Sequence, residues 1–160
     1  LEYTLDIIMS RVYNTKYQRY PQVHKYKREE DVHMDIRKYD IIKANIKYEG
    51  SGSVQTKERP YVVVSNPVGT KNGTIITVMP LTSKIKKENM PVHGCIKANN
   101  INGLSLYSMI LGEQPITISK DEVEEKLGMV TNQKEKNMIN KICYNTFFFG
   151  ENINWEEVLA

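Results

Sequence analysis

Between Glu58 and Lys84 lie two short apolar runs rich in β-branched residues, at 61–64 and 74–79. They stand either side of Asn66-Pro67 and Asn72-Gly73. Runs of this kind, bounded by turn residues, are expected to be paired, buried strands. Arg59 lies just before the first run, and Thr82 and Ser83 just after the second. In an antiparallel pair the start of one strand lies beside the end of the next. Arg59 and Thr82 are therefore expected on one rim of the sheet. A guanidinium beside hydroxyls on a positive surface suits a phosphate.

The distribution of charge supports an anionic partner at that rim. The chain of 160 residues has a net charge of +3. Residues 1–40 carry +1, 41–119 carry +5 and 120–160 carry −3. The positive excess thus lies on the segment that holds Arg59 and Thr82. A hydrophobic fraction of 40% with 26% charged residues is globular rather than disordered. No apolar run approaches the roughly 20 residues of a membrane helix. Residues 1–12 contain Glu2 and Asp6 and lack a basic leader, so no secretory signal is expected. Cys95 and Cys143, far apart in apolar contexts, read as buried thiols in a reducing cytoplasm rather than a disulfide.

The remaining elements follow from periodicity. Leu1, Leu5, Ile8, Met9 and Val12 fall at helical spacing, giving a candidate helix over 1–14. Beyond it, tyrosines and basic residues interleave up to His33, as an arm packed on the domain or a partner, or as a grip on single-stranded nucleic acid. Ile42, Ala44 and Ile46 alternate with Lys43, Asn45 and Lys47, the pattern of a half-buried strand. Residues 48–57 are a glycine- and serine-rich connection, and 83–89 a basic loop or single helical turn. Further strands are expected at 91–96, 104–111 and 112–118. Ser119 with Glu122 forms a capping box, predicting a helix that buries Val123 and Leu127 and stops at Gly128. Thr131 is expected to cap a second helix with Met138, Ile142 and Cys143 on its apolar stripe. Residues 147–149 and Trp155 add aromatic bulk for a core or an interface. The class is a small, bent, mostly antiparallel barrel of five to seven strands, closed or half closed, with a C-terminal helical cover.

Most familiar chemistries are excluded. His24, His33, His93, Cys95 and Cys143 show no zinc spacing, so no metal is expected. His93 and Cys95 alternate on one strand face, where they either share a site or simply pack. There is no phosphate loop, nucleophile elbow or dinucleotide fingerprint, and no cofactor is expected. An enzyme built from these residues works through arginine, hydroxyl and amide groups.

Four anchors in order complete the reading: Lys38-Tyr-Asp-Ile-Ile42; Arg59-Pro-Tyr-Val-Val-Val-Ser-Asn66; Pro80-Leu-Thr-Ser-Lys84; and Met90-Pro-Val-His93 followed by Gly112-Glu-Gln-Pro-Ile-Thr-Ile-Ser-Lys120. Over residues from about 34 to 143 the chain resembles the MazF/PemK (Kid) family of toxin endoribonucleases from toxin–antitoxin modules. The corresponding family patterns are Gly-Asp-Ile-Val, Arg-Pro-Val-Val-Val-Ile-Ser-Asn, Pro-Leu/Ile-Thr-Ser, and Leu-Pro-Thr-His with Glu-Gln-Ile-Arg-Thr-Ile-Asp-Lys. The resemblance implies an SH3-like barrel over 34–160, with residues 1–33 as an extension outside the match. It also implies a cytoplasmic homodimer, free of cofactor and metal, that cleaves single-stranded RNA and is inhibited by a cognate antitoxin, with which such toxins bind DNA. The reaction implied is attack of a ribose 2′-hydroxyl on the adjacent phosphate, leaving a 2′,3′-cyclic phosphate and a 5′-hydroxyl. Arg59 and Thr82 fall on the catalytic positions, and Gln55, Lys57, Ser83, Lys84 and Gln114 on RNA-binding ones. Two departures stand out. The 49–58 loop differs from the family's Gly-Ser-Glu-Gln-Gly-Gly, and Ile116 and Ser119 occupy the Kid-branch arginine and aspartate positions. A gyrase poison like CcdB and an inactive RNA-binding barrel are the alternatives on the same fold.

Overall fold

The computed structural model describes residues 34–46 and 57–159. The candidate helix at 1–14, the arm up to His33, Gln55 and most of the 48–57 connection lie outside the described residues. Among the described residues, 151–159 belong to one compact unit and 34–150 to another. In the first, Asn154 starts a five-residue helix, Trp155–Leu159, its side chain accepting from the Glu156 N–H at 3.2 Å.

The second unit is an antiparallel sheet of seven strands: β1 (Asp40–Ile46), β2 (Lys57–Val63), β3 (Ile75–Thr82), β4 (His93–Ile96), β5 (Ser108–Leu111), β6 (Ile116–Ser119) and β7 (Val123–Met129). Its order is β4-β5-β3-β2-β1-β7, with β6 also on β3. The long β3 is therefore central. β2 runs along one edge, while the other edge pairs first with β6 (Ile75↔Ser119 to Val78↔Ile116) and then with β5 (Leu81↔Ile110, Thr82↔Met109). β4 and β7 end the pairing order, so among the described residues the ladder does not close on itself.

Both faces of the central strands are buried, which is why they read as near-continuous apolar runs. In β2, Tyr61 and Val63 enter one core with Ile42, Ala44 and Val78, while Val62 enters a second with Ile41, Met79 and Leu81. The second core is covered by helix α2 (Gln133–Phe148), through Ile139 and Ile142. Each such aliphatic side chain contributes about 1.5–3 kcal/mol when fully buried. In β1 the expected alternation holds over 42–46, with Ile42, Ala44 and Ile46 buried against half-buried Lys43 and exposed Asn45, while Ile41 at its start is buried on the opposite face.

Several local expectations are corrected. The turn between the first two apolar runs is a short helix, α1 (Pro67–Asn72): the Asn66 side chain accepts from the Gly69 N–H, and Pro67 suits the first helical position. The capping box at Ser119 and Glu122 forms, but it starts only a 3-10 turn, Lys120–Glu122. The chain then becomes β7 instead of a helix, because β1 needs a second partner and takes it along Asp40–Ala44, with two register shifts. Helix α2 is capped by Asn132, whose Oδ1 accepts from the Lys134 and Glu135 N–H groups, not by Thr131. Its buried face is Ile139, Ile142 and Asn145, with Met138 and Cys143 beside it. The strand expected over 104–111 contracts to Ser108–Leu111.

Tyr39, just before β1, adopts φ 73°, a left-handed conformation that costs a non-glycine residue roughly 1–2 kcal/mol. It is held there by an N–H to the Val63 carbonyl and by its own carbonyl, which accepts from Val130, each at 2.9 Å. Its hydroxyl donates to Asn140 Oδ1 at 3.0 Å, and Lys136 Nζ lies 5.4 Å from the ring centre.

Candidate active site

The β2–β3 register sets the site. Tyr61 lies opposite Pro80, Val62 opposite Met79 and Val63 opposite Val78. Continued two steps, the same register sets Arg59 across from Thr82. Both line one cavity of about 470 Å3, together with Glu58, Pro60, Leu81, Ser83 and Lys84. The Thr82 hydroxyl oxygen accepts the Lys84 N–H at 3.1 Å, which turns the chain sharply off the strand end and sets Ser83 and Lys84 beside it. Glu58, next to Arg59, pairs with Lys43 of β1.

The opposite wall is a loop, residues 99–107, whose role is not legible in the sequence. Buried Asn102 accepts from the Asn99 and Leu104 N–H groups, each at 3.1 Å, and donates to the Lys97 carbonyl at 2.9 Å. Asn99 accepts from the Ile101 and Asn102 N–H groups at 2.9 Å. This knot presents Gly103, Leu104, Ser105 and Leu106 to the cavity. Gly103 has φ 70°, and a Cβ there would lie 2.2 Å from the Leu127 carbonyl oxygen, so only glycine lets this wall close on β7. The run Asn99-Asn-Ile-Asn-Gly103 signals a loop, but nothing in it points to the cavity.

Among the expected RNA contacts, Ser83 and Lys84 line this cavity, exposed. Lys57 opens β2 opposite Ile46. Gln114 lies elsewhere, in the turn between β5 and β6, where its N–H donates to the Leu111 carbonyl at 3.1 Å. Ile116 pairs with Val78, midway along β3, and Ser119 pairs with Ile75, at the end of β3 away from Thr82.

His93 and Cys95 belong to separate hydrogen-bonded groups. The His93 ring is bound on both nitrogens, Nδ1 to the Lys87 carbonyl at 2.8 Å and Nε2 to Glu113 at 3.0 Å. The Cys95 thiol donates to Glu88 Oε1 at 3.3 Å, and the Tyr107 hydroxyl donates to the same oxygen at 3.3 Å. Burial pushes the Cys95 thiol up, and Tyr107, chiefly through its bond with Cys95, is pushed up to about 12. Cys95 and Cys143 are both free thiols, half-buried. Among the described residues no three potential ligands cluster as a metal site would require. No described helix is long and apolar enough to cross a membrane.

A family model described as "PemK-like, MazF-like toxin of type II toxin-antitoxin system" matches residues 37–144, spanning β1 through most of α2. The chain belongs to this family. A curated relative, endoribonuclease MazF of Staphylococcus saprophyticus subsp. saprophyticus, is 32% identical over 107 residues, covering 67% of this chain and 88% of the relative. Among solved structures, MazF from Deinococcus radiodurans superposes with a TM-score of 0.56 at 14% identity, covering 71% of this chain and 94% of that one. An endoribonuclease in complex with its cognate antitoxin, from a mycobacterial species, gives 0.55 at 17% identity, covering 69% and 93%. At these identities the structural likeness shows that the PemK-like, MazF-like toxins and this chain share a mainly β, antiparallel fold with a few helices. The matched residues include the whole β2–β3 pair and so the Arg59–Thr82 rim.

Proposed function

We propose that this chain is the toxin of a type II toxin–antitoxin module and an endoribonuclease that cleaves single-stranded RNA, with Arg59 and Thr82 as its catalytic pair. The observation that carries the reading is that these two residues, expected to meet from strand pairing alone, line one cavity in a chain of this family.

The reaction that fits is transesterification. The ribose 2′-oxygen loses its proton and bonds to phosphorus, and the phosphorus–5′-oxygen bond breaks. The leaving 5′-oxygen takes a proton, leaving a 2′,3′-cyclic phosphate and a 5′-hydroxyl. Arginine, with a pKa above about 12, is a poor proton carrier. Arg59 therefore orients the phosphate and neutralises charge as it builds, while Thr82 hydrogen-bonds the 2′-hydroxyl or a phosphate oxygen. Ser83, Lys84, Lys57 and Gln55 bind flanking RNA. Gln114, outside the cavity, binds RNA further along the surface. Residues 1–33 are an extension to the toxin domain, and that domain is an SH3-like barrel working as a cytoplasmic homodimer held inactive by its antitoxin. The gyrase-poison reading is not favoured, since it makes no use of the Arg59–Thr82 cavity, and an inactive barrel would show salt-dependent RNA binding without product.

The test is digestion of a long mixed-sequence RNA in excess chelator, with primer extension to map the cuts. Cleavage at recurrent short motifs with cyclic-phosphate ends is expected. An Arg59→Ala protein that cuts as fast as the parent would falsify the assignment of Arg59.

A further inference from the structure

Tyr61 is the largest fully buried side chain of the described residues, and its hydroxyl has no hydrogen-bond partner among them. Burying an unmatched hydroxyl sacrifices stability that a phenylalanine would keep. The family pattern matched by Arg59-Pro-Tyr61 has valine at the tyrosine position, which brings no polar atom into this core. The hydroxyl thus has a cost and no structural return.

Its location suggests the return. Alternation along β2 puts Tyr61 on the same strand face as Arg59, two residues away. Tyr61 stands opposite Pro80 on β3, and that register, continued two residues past the last pair, brings Arg59 level with Thr82. The two side chains also interact electrostatically: burial pushes the Tyr61 phenol up, and the Arg59 charge pulls against that push.

We propose that Tyr61 is a positioning residue for Arg59: with RNA in the cavity, its phenol oxygen accepts a hydrogen bond from the guanidinium and so aims the remaining N–H groups at the scissile phosphate. The inference rests on the ribonuclease reading above. A phenol ring locked between two strands is a rigid anchor, and a bond to a charged donor is stronger than one between neutral groups. Its benefit appears when charge develops on the phosphate, so it acts on kcat more than on KM.

The experiment compares the parent with Tyr61→Phe, at a temperature where both are folded. Expected are a thermal midpoint equal to or above the parent's, kcat lower by about 10- to 100-fold, and KM little changed. In an Arg59→Lys background, where the fork geometry is already lost, adding Tyr61→Phe should lower kcat much less. Ile42→Val, which trims the residue directly opposite Tyr61 on β1, controls for looser packing and should lower the midpoint while leaving kcat intact. Full parental kcat in Tyr61→Phe overturns the inference. So does an undiminished effect in the Arg59→Lys background, or an equal loss of kcat in Ile42→Val. A parent that cuts no RNA overturns the ribonuclease reading and this inference together, whereas an active parent matched by Tyr61→Phe overturns this inference alone.

Discussion

Lys126 of β7 holds its Nζ 2.7 Å from Oδ2 of Asp40, at the head of β1, and Asp40 is fully buried. The same oxygen accepts the Arg37 N–H at 2.7 Å, so one carboxylate pins both the chain entering β1 and the neighbouring edge strand. Removing one partner of a buried pair leaves an uncompensated charge, at a cost of about 3–5 kcal/mol. Lys126 is partly exposed, so Lys126→Met is expected to cost about 3 kcal/mol, at the lower end of that range. Adding Asp40→Leu should recover part of that loss, because the orphaned carboxylate goes too. Urea midpoints of the two variants measure this.

Thr82→Val keeps the shape of the side chain and removes its hydroxyl. RNA cleavage is expected to fall by about 10²-fold or more, the usual effect of losing a preorganised polar group at the reacting centre. The chain turn after β3 also loses the acceptor for the Lys84 N–H. That bond is exposed, so stability should change by less than about 1 kcal/mol. Single-turnover kinetics alongside thermal melting separates the two effects.

Asn102→Ala strips the wall loop of its internal scaffold. Two backbone N–H groups and the Lys97 carbonyl lose their partner at a buried position. The expected destabilisation is about 2–4 kcal/mol. Because Gly103, Leu104 and Ser105 line the cavity, the affinity for RNA should weaken as well, read by fluorescence anisotropy of a labelled oligonucleotide.

The Glu88–Cys95–Tyr107 group makes a prediction for alkaline pH. Cys95 is raised above its ordinary 9.0 and Tyr107 above 10.0, so the folded state favours their neutral forms. Their contribution to stability is complete below pH 9.0 and is lost as pH rises through the folded values, ending near 12 for Tyr107. Iodoacetamide should accordingly label Cys95 with a midpoint above pH 9.0. Glu88→Gln should bring that midpoint down by removing a carboxylate that disfavours the thiolate. A midpoint that does not move in Glu88→Gln would show that the carboxylate has no influence on the thiol.

What was legible in the sequence was the pairing of strands around the site; what was not was any element decided by distant contacts. Arg59 and Thr82 could be brought together from two apolar runs and antiparallel geometry, because that information is local. The capping box at Ser119 and Glu122 is a true start signal, but of a 3-10 turn and not of the helix expected as far as Gly128. Its helical tendency gives way to pairing with β1, about 80 residues earlier in the chain and invisible to a local pattern. Asn132 won the α2 cap over Thr131 by a single residue, within the ordinary uncertainty of helix ends. The Asn102 wall escaped notice because its buried side chain satisfies backbone groups that only the folded loop brings within reach.

The position of β3 bears on how the site behaves over time. The strand pairs with three neighbouring strands, and at Val78 both of its edges are engaged, so exchange of its central amides with solvent is expected to be slow. Thr82 ends that strand, while Ser83 and Lys84 belong to the exposed loop beyond it. The hydroxyl proposed for the reacting centre is therefore set at the end of a strand whose middle is held from both sides. The loop residues proposed to meet incoming RNA, one position further on, are exposed, and their amides are expected to exchange sooner.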